Sequence, residues 1–185
     1  MPEDELNGDV MGIQPAGDQG WIRTVVDRYE QPLLLYAIRL TGDCDRGRDV
    51  VQETFLRLCR QNRTDVEDHL AEWLYSVCRN IAIDLRRKER RMVQFAEDGT
   101  DMPTTQTAAP EQSIEESEQA KRMVKLLDTL PPNQQEVLRL KFQHGLSYKQ
   151  IAEVTKLTIG NVGFLIHTGL KALRSQLIED AGVTS

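Results

Sequence analysis

Two groups of residues are spaced to hold a polyanion rather than to break a bond. Residues 79–91 carry Arg79, Arg86, Arg87, Lys88, Arg90 and Arg91 against only Asp84 and Glu89, a local excess of positive charge that suits a phosphate backbone. A helix dipole also favours cations at its C-terminal end, so an isolated run of this kind would more simply be a solvated helix end. Asn80, beside the cluster, supplies an amide that can pair with a base edge. The second group is Asn161, Phe164, His167 and Thr168, which recur at helical spacing after Thr158, with Ser147, Lys149 and Lys171 flanking them. Catalysis finds no counterpart: there is no phosphate loop, no HExxH, no dinucleotide fingerprint and no nucleophile constellation. The chain is therefore read as a non-enzyme, with no catalytic residue and no cofactor.

The element that must position the second group is residues 145–174, GLSYKQIAEVTKLTIGNVGFLIHTGLKALR. Gly145 can take the left-handed conformation that closes a preceding helix, and Ser147 with Gln150 forms a capping box for the next. Ile151, Ala152 and Val154 give a short apolar face, residues 155–157 are about the length of a turn, and Thr158 can cap a longer helix. Val162, Leu165, Ile166, Leu170, Leu173 and Leu177 then recur at helical spacing. Two such helices form a helix-turn-helix, whose second helix lies in the major groove with its first turns at base edges. A plain helical hairpin, with caps that are only caps, is the alternative for this segment alone.

The first group sits in a helical block at residues 20–91. Trp21, Ile22, Val25, Val26 and Tyr29 begin an amphipathic helix that Leu33, Tyr36, Ala37 and Leu40 continue beyond a kink or restart at Pro32. Thr41 and Gly42 stop it, and residues 43–45 open a second helix with Val51, Phe55 and Leu58 on one side. A third helix is expected over residues 65–91, its core face formed by Leu70, Trp73, Leu74, Val77, Cys78, Ile81 and Leu85. Trp73 could stack on a base, but its spacing with Leu70 and Val77 places it in the core.

At 185 residues, 39% of them hydrophobic, the chain can hold one ordinary domain or two small ones. Its formal net charge of -6 would argue against nucleic acid if charge were uniform, so distribution decides. Residues 92–117 are rich in Thr, Pro, Gln and acid and read as a flexible linker. The expected organisation is all-α: a tail at 1–19, a first domain at 20–91, the linker, a second domain at 118–178 and a tail at 179–185. No apolar run approaches membrane-spanning length and the acidic start lacks signal-peptide features, so a cytoplasmic location and no membrane partner are expected. Cys44, Cys59 and Cys78 read as buried thiols rather than a disulfide framework, and with His69, His144 and His167 scattered no metal site is expected.

DVVQETFLRL at residues 49–58 and EWLYSVCRNIAIDLRRKERR at 72–91 closely resemble region two of bacterial sigma factors. LPPNQQEVLRLKF at 130–142, with the helix-turn-helix after it, resembles region four. With both in order and a polar linker between them, the chain resembles a sigma factor of the extracytoplasmic function (ECF) type. The resemblance implies a dissociable RNA polymerase subunit that supplies promoter specificity and helps melt DNA. It implies that Asp49, Gln52, Glu53, Leu56 and Arg57 contact the beta-prime clamp helices of core polymerase, with Phe55 either joining them or lying in the core. Arg79, Asn80, Arg86, Arg87, Lys88, Arg90 and Arg91 would meet the minus-ten element. Ser147, Lys149, Thr158, Asn161, Phe164, His167, Thr168 and Lys171 would serve the minus-thirty-five element, while the same domain docks on the beta flap. An anti-sigma partner is expected from the family.

The chain departs from the family pattern where basic residues usually follow the Val equivalent to Val162: Gly163, Phe164, Leu165 and Thr168 stand there instead. Gly160, Gly163 and Gly169 each cost the helix up to about 1 kcal/mol at interior positions, and Lys156 stands where the turn often has Gly. The exposed trio Gly163, Phe164 and Leu165 reads either as a surface for thymine methyls or as a patch for a protein partner. A stand-alone helix-turn-helix regulator and a helical adaptor are the competing functions.

Overall fold

The computed structural model describes residues 16–96 and 118–182. The expected N-terminal tail to residue 15, residues 97–117 of the expected linker and residues 183–185 lie outside them. In chain order the described elements are α1 (Ala16–Thr41), α2 (Cys44–Leu58), α3 (Arg63–Val66), a 3-10 turn (Glu67–His69), α4 (Leu70–Ala96), α5 (Glu118–Asp128), α6 (Pro132–Phe142), α7 (Tyr148–Thr155) and α8 (Ile159–Gly182). No strand occurs among the described residues, and the all-α fold is as expected.

In the first half α1, α2 and α4 pack together around Val25, Leu33, Tyr36, Val50, Val51, Leu58, Leu74, Cys78 and Ala82. Burying each of the larger aliphatic side chains contributes about 1.5–3 kcal/mol. Three expectations are corrected. α1 is one helix through Pro32, so of the kink or restart expected there the restart is ruled out. The helix expected over residues 65–91 is in fact two helices separated by the 3-10 turn, and α4 continues past Arg91 to Ala96, into the expected linker. The junctions that follow expectation are capped by polar chemistry: Gly42 takes φ 77, and the Asp43 carboxylate accepts from the Arg46 backbone N–H at 2.8 Å. α1 and α2 approach closely at Gly47, where an added Cβ would lie 2.6 Å from Ile38 Cγ1.

In the second half α6, α7 and α8 enclose Val137, Leu138, Leu140, Leu146, Ile151, Val154, Val162, Ile166 and Leu173. Pro132 begins α6, where a missing N–H costs nothing. The halves also touch: α4 packs on α7, and side chains of α1 and α4 bond to residues of α6 and the turn after it. Of the three cysteines only Cys78 is buried; Cys44 is half-buried and Cys59 exposed, which corrects the expectation of three buried thiols. Burial pushes the Cys78 thiol up to about 12, leaving it protonated and unreactive.

Candidate nucleic-acid interface

Three exposed surfaces and one buried contact hold the residues singled out by sequence. On α2, Gly47, Val50, Val51, Thr54 and Leu58 face the core. The opposite face therefore presents Asp49, Gln52, Leu56 and Arg57 to solvent, with Glu53 half-buried. Arg57 Nε donates to Glu53 Oε1 at 2.9 Å, and Leu56 is an exposed apolar side chain between them. Phe55 is half-buried and packs against the core.

On α4, Leu74, Tyr75, Cys78 and Ala82 point inward. Asn80, Arg86, Arg87, Lys88, Arg90 and Arg91 are exposed. Arg86, Arg87, Arg90 and Arg91 line a shallow groove floored by Ile83. Arg86 Nη1 donates to the Leu40 carbonyl at 3.2 Å and Arg87 pairs with Asp84 at 2.8 Å, while Arg46 of α2 neutralises Glu89 at 2.8 Å. Arg86 and Arg87 are thus each held by one contact, and Arg86, Arg87, Lys88, Arg90 and Arg91 form a row of cations exposed to water. Arg79 is not in that row: its guanidinium forks onto both oxygens of Glu136, Nε to Oε1 at 2.8 Å and Nη2 to Oε2 at 3.2 Å. Burial works against the charged guanidinium, but the Glu136 pair outweighs it and holds the Arg79 pKa above its ordinary value.

The helix-turn-helix forms as its caps dictate. Gly145 takes φ 70; Ser147 Oγ accepts from the Gln150 N–H at 3.3 Å while Gln150 Oε1 accepts from the Ser147 N–H at 2.9 Å. Lys156 adopts the left-handed conformation at φ 60, and Thr158 Oγ1 accepts from the Asn161 N–H at 3.2 Å. Val162, Ile166 and Leu173 bury α8, leaving Gly160, Asn161, Phe164, His167 and Lys171 exposed along one face. Phe164 is 63% exposed, the apolar centre of that face.

The sequence reading of α8 is corrected at Gly163, Leu165 and Gly169, and Thr168 gains partners within the chain. Gly163 and Leu165 are not exposed with Phe164: Gly163 lies against the Tyr148 ring, and Leu165 packs on the core. Thr168 donates its hydroxyl to the Phe164 carbonyl at 2.9 Å and accepts from Gln134 at 3.4 Å, so it is engaged by its own domain. Gly169 is a packing requirement rather than a defect, because an added Cβ would lie 2.8 Å from Leu138 Cδ1.

Sequence reasoning missed Tyr36, Tyr75, Glu136 and His144, which make the contact between halves. Tyr36 Oη donates to Glu136 Oε1 at 2.7 Å, and Tyr75 Oη lies 2.7 Å from His144 Nδ1. Burial, together with the Arg139 and Arg39 charges, pulls His144 down to about 4, so its ring is neutral near pH 7 and Nδ1 can accept from the Tyr75 hydroxyl. Burial also drives both tyrosines up, keeping those donors protonated. Sequence periodicity carries no signal for pairings 57 to 100 residues apart in the chain.

A helical protein with an arginine-lined helix in one half and a helix-turn-helix in the other is, by fold and site, a bipartite DNA-binding protein. Sigma-70 region 2 matches residues 25–92 and sigma-70 region 4 matches residues 120–173. The ECF RNA polymerase sigma factor SigL of Mycobacterium tuberculosis is 32% identical over 176 residues, covering 91% of this chain and 95% of the relative. SigW of Bacillus subtilis, another ECF sigma factor, is 29% identical over 170 residues, covering 87% and 91%. The sigma factor RpoE of Bartonella quintana, solved with the anti-sigma factor NepR, shares the fold at a TM-score of 0.62, with 23% identity over 84% of this chain and 95% of that one. The chain belongs to the ECF family of RNA polymerase sigma factors, proteins that direct promoter-specific transcription initiation.

Proposed function

We propose that the chain divides promoter recognition between its halves. The α2 face of Asp49, Gln52, Glu53, Leu56 and Arg57 docks on the beta-prime clamp helices of core polymerase. Asn80 and the row of Arg86, Arg87, Lys88, Arg90 and Arg91 take the minus-ten element, with the amide on an unstacked base and the cations on the strand. Arg79 joins that row when Glu136 releases it. Helix α8 reads the minus-thirty-five element, with Ser147, Lys149 and Lys171 on the backbone, while its domain meets the beta flap. The protein contributes binding and strand opening, not catalysis. An anti-sigma factor of the kind bound to the Bartonella quintana relative is a further expected partner. No helix among the described residues is long and apolar enough to cross a membrane.

The observation that carries this reading is that two separately built exposed faces, the arginine row of α4 and the α8 face, occur in one chain beside an exposed polar α2 face. Transcription in vitro with purified core polymerase tests it: initiation from defined promoters is expected, and no initiation on any genomic fragment would overturn it. Asn80→Ala and the paired Arg86→Ala, Arg87→Ala variant should reduce promoter opening, measured by permanganate reactivity, more than core binding. Equal loss of both would assign these residues to the fold alone.

Phe164 gives α8 an apolar reading head. Its exposure between Asn161 and His167 favours contact with thymine methyls, a contact that discriminates by removal of one methyl group. Replacing minus-thirty-five thymines by uracil should weaken binding by the wild-type chain about three- to tenfold and leave a Phe164→Ala variant unaffected, since methyl burial is worth about 1 kcal/mol. An equal loss for both would remove Phe164 from the readout.

A further inference from the structure

Ile83 is an apolar side chain on the charged face of α4. Leu74, Cys78 and Ala82 turn inward on this helix, whereas Ile83 lies off their stripe and is 40% exposed. Arg86, Arg87 and Arg90 follow it by three, four and seven residues, the spacing that brings side chains onto one helix face. With Arg91 they line a shallow groove in which Ile83 is the apolar floor. Asn80 precedes Ile83 by one turn, a rise of about 4.5 Å along the axis. A single exposed aliphatic side chain is ordinary on a protein surface. What sets Ile83 apart is the ring of four guanidinium groups around it, of which only that of Arg87 is in an ion pair among the described residues.

We propose that Ile83 is the seat for one unstacked nucleotide of the minus-ten strand: its side chain packs against the face of the base while the surrounding arginines hold the phosphates on either side. The inference rests on the α4 row meeting the minus-ten element, and adds the form of DNA that the row selects. An arginine row by itself holds duplex and single strand alike, because its grip comes from phosphate charge and counterion release. In a duplex the base faces are stacked on one another and closed to side chains. An apolar seat contributes only where a base face is free, as it is in an opened strand whose bases pack on protein side chains and on guanidinium planes. Apolar burial is non-directional, so Ile83 serves any base, and the Asn80 amide one turn away supplies the choice of base through its edge. Ile83 thus biases the α4 face toward melted DNA.

The lining of the groove decides between occupants. An apolar protein segment laid on Ile83 would take the neighbouring guanidinium groups out of water without pairing them, which is costly. A nucleic-acid strand brings an apolar ring face and flanking anions together, the same combination of chemistry that Ile83 and the four arginines present. An acidic peptide would share the charge complementarity but would show no dependence on a base.

Ile83→Ala and Ile83→Val in the full chain, assembled with core polymerase, test the seat against a labelled minus-ten fragment in single-stranded and duplex form. Ile83 lies outside the core and Ala is the better helix former, so the Ala variant keeps the fold. Ile83→Ala should weaken binding to the single strand about fivefold and leave the duplex within about twofold, since only a free base face is lost. The slope of log K against log salt should not change, because no phosphate contact is removed. Ile83→Val keeps most of the apolar area and should stay within about twofold of the wild type on both forms. Abasic sites placed one at a time along the strand identify the nucleotide: at one position the wild type should lose as much affinity as Ile83→Ala does, and the two proteins should become equal. Equal loss on single strand and duplex, no loss on either, or a loss that persists at every abasic position would overturn the seat, the last pointing to an acidic protein segment in the groove. Wild-type protein that binds neither form defeats the promoter reading itself, whereas wild-type binding with an indifferent Ile83→Ala defeats the seat alone.

Discussion

Gly47 and Gly160 show how the same residue type answers to different surroundings. An added methyl at Gly47 would meet Ile38 Cγ1 at 2.6 Å and the Ile38 backbone N at 3.1 Å, where the backbone of α1 cannot retreat. Gly47→Ala should therefore destabilise the protein by about 1–3 kcal/mol, the usual cost of overpacking. At Gly160 an added Cβ meets nothing within 4 Å, and Gly160→Ala should stabilise by about 0.5 kcal/mol through the entropy of the unfolded chain. Urea midpoints at fixed slope distinguish the two; a stabilised Gly47→Ala would mean that α1 and α2 part more easily than their contact indicates. The cost assigned to Gly169 by helix propensity alone was misplaced for the same reason, since propensity is blind to Leu138 on the facing helix. Lys156 was legible through the family resemblance alone: it stands where the turn often has Gly, and its φ of 60 is left-handed.

The capped elements of the second half were readable because their signals are local. Gly145, Ser147, Gln150 and Thr158 each act on backbone within a few residues, and each does so in the structure. The α4 boundary was harder. A basic, exposed helix end has the same composition whether it stops at Arg91 or runs to Ala96, and the composition of the residues beyond it resembles a linker. The break between α3 and α4 falls at the 3-10 turn just after Val66, which is 2% exposed, and leaves no mark in periodicity. At this scale the α4 groove makes a quantitative prediction. If Arg90 and Arg91 each neutralise one phosphate, Arg90→Ala with Arg91→Ala should reduce the slope of log K against log salt by about 1.4 for a single-stranded minus-ten fragment, at roughly 0.7 per contact. An unchanged slope would place both side chains off the strand.

For the whole molecule, His144 links stability to pH. Its ring is faced by Tyr36 of α1 and Tyr75 of α4, with Arg39 and Arg139 contributing unfavourable positive charge to its protonated form. Its pKa is lowered to about 4 in the folded chain against an ordinary value of 6.5, so protonation favours states in which the ring is released. The stabilisation is complete above about pH 6.5 and should be lost progressively as the pH falls toward 4. A His144→Gln variant should show a shallower loss of urea midpoint across that window, and an identical slope would place the coupling elsewhere. Sequence by itself determined the helical elements, the two regions and the residue types available to DNA, because caps, periodicity and charge runs are local properties of the chain. Only the tertiary structure decided that Arg79 is sequestered by Glu136, that Phe164 stands out while Leu165 does not, and that the halves meet through Tyr36, Tyr75 and His144. Those outcomes depend on which surfaces approach across long separations in the chain, and local sequence signals are silent about that approach.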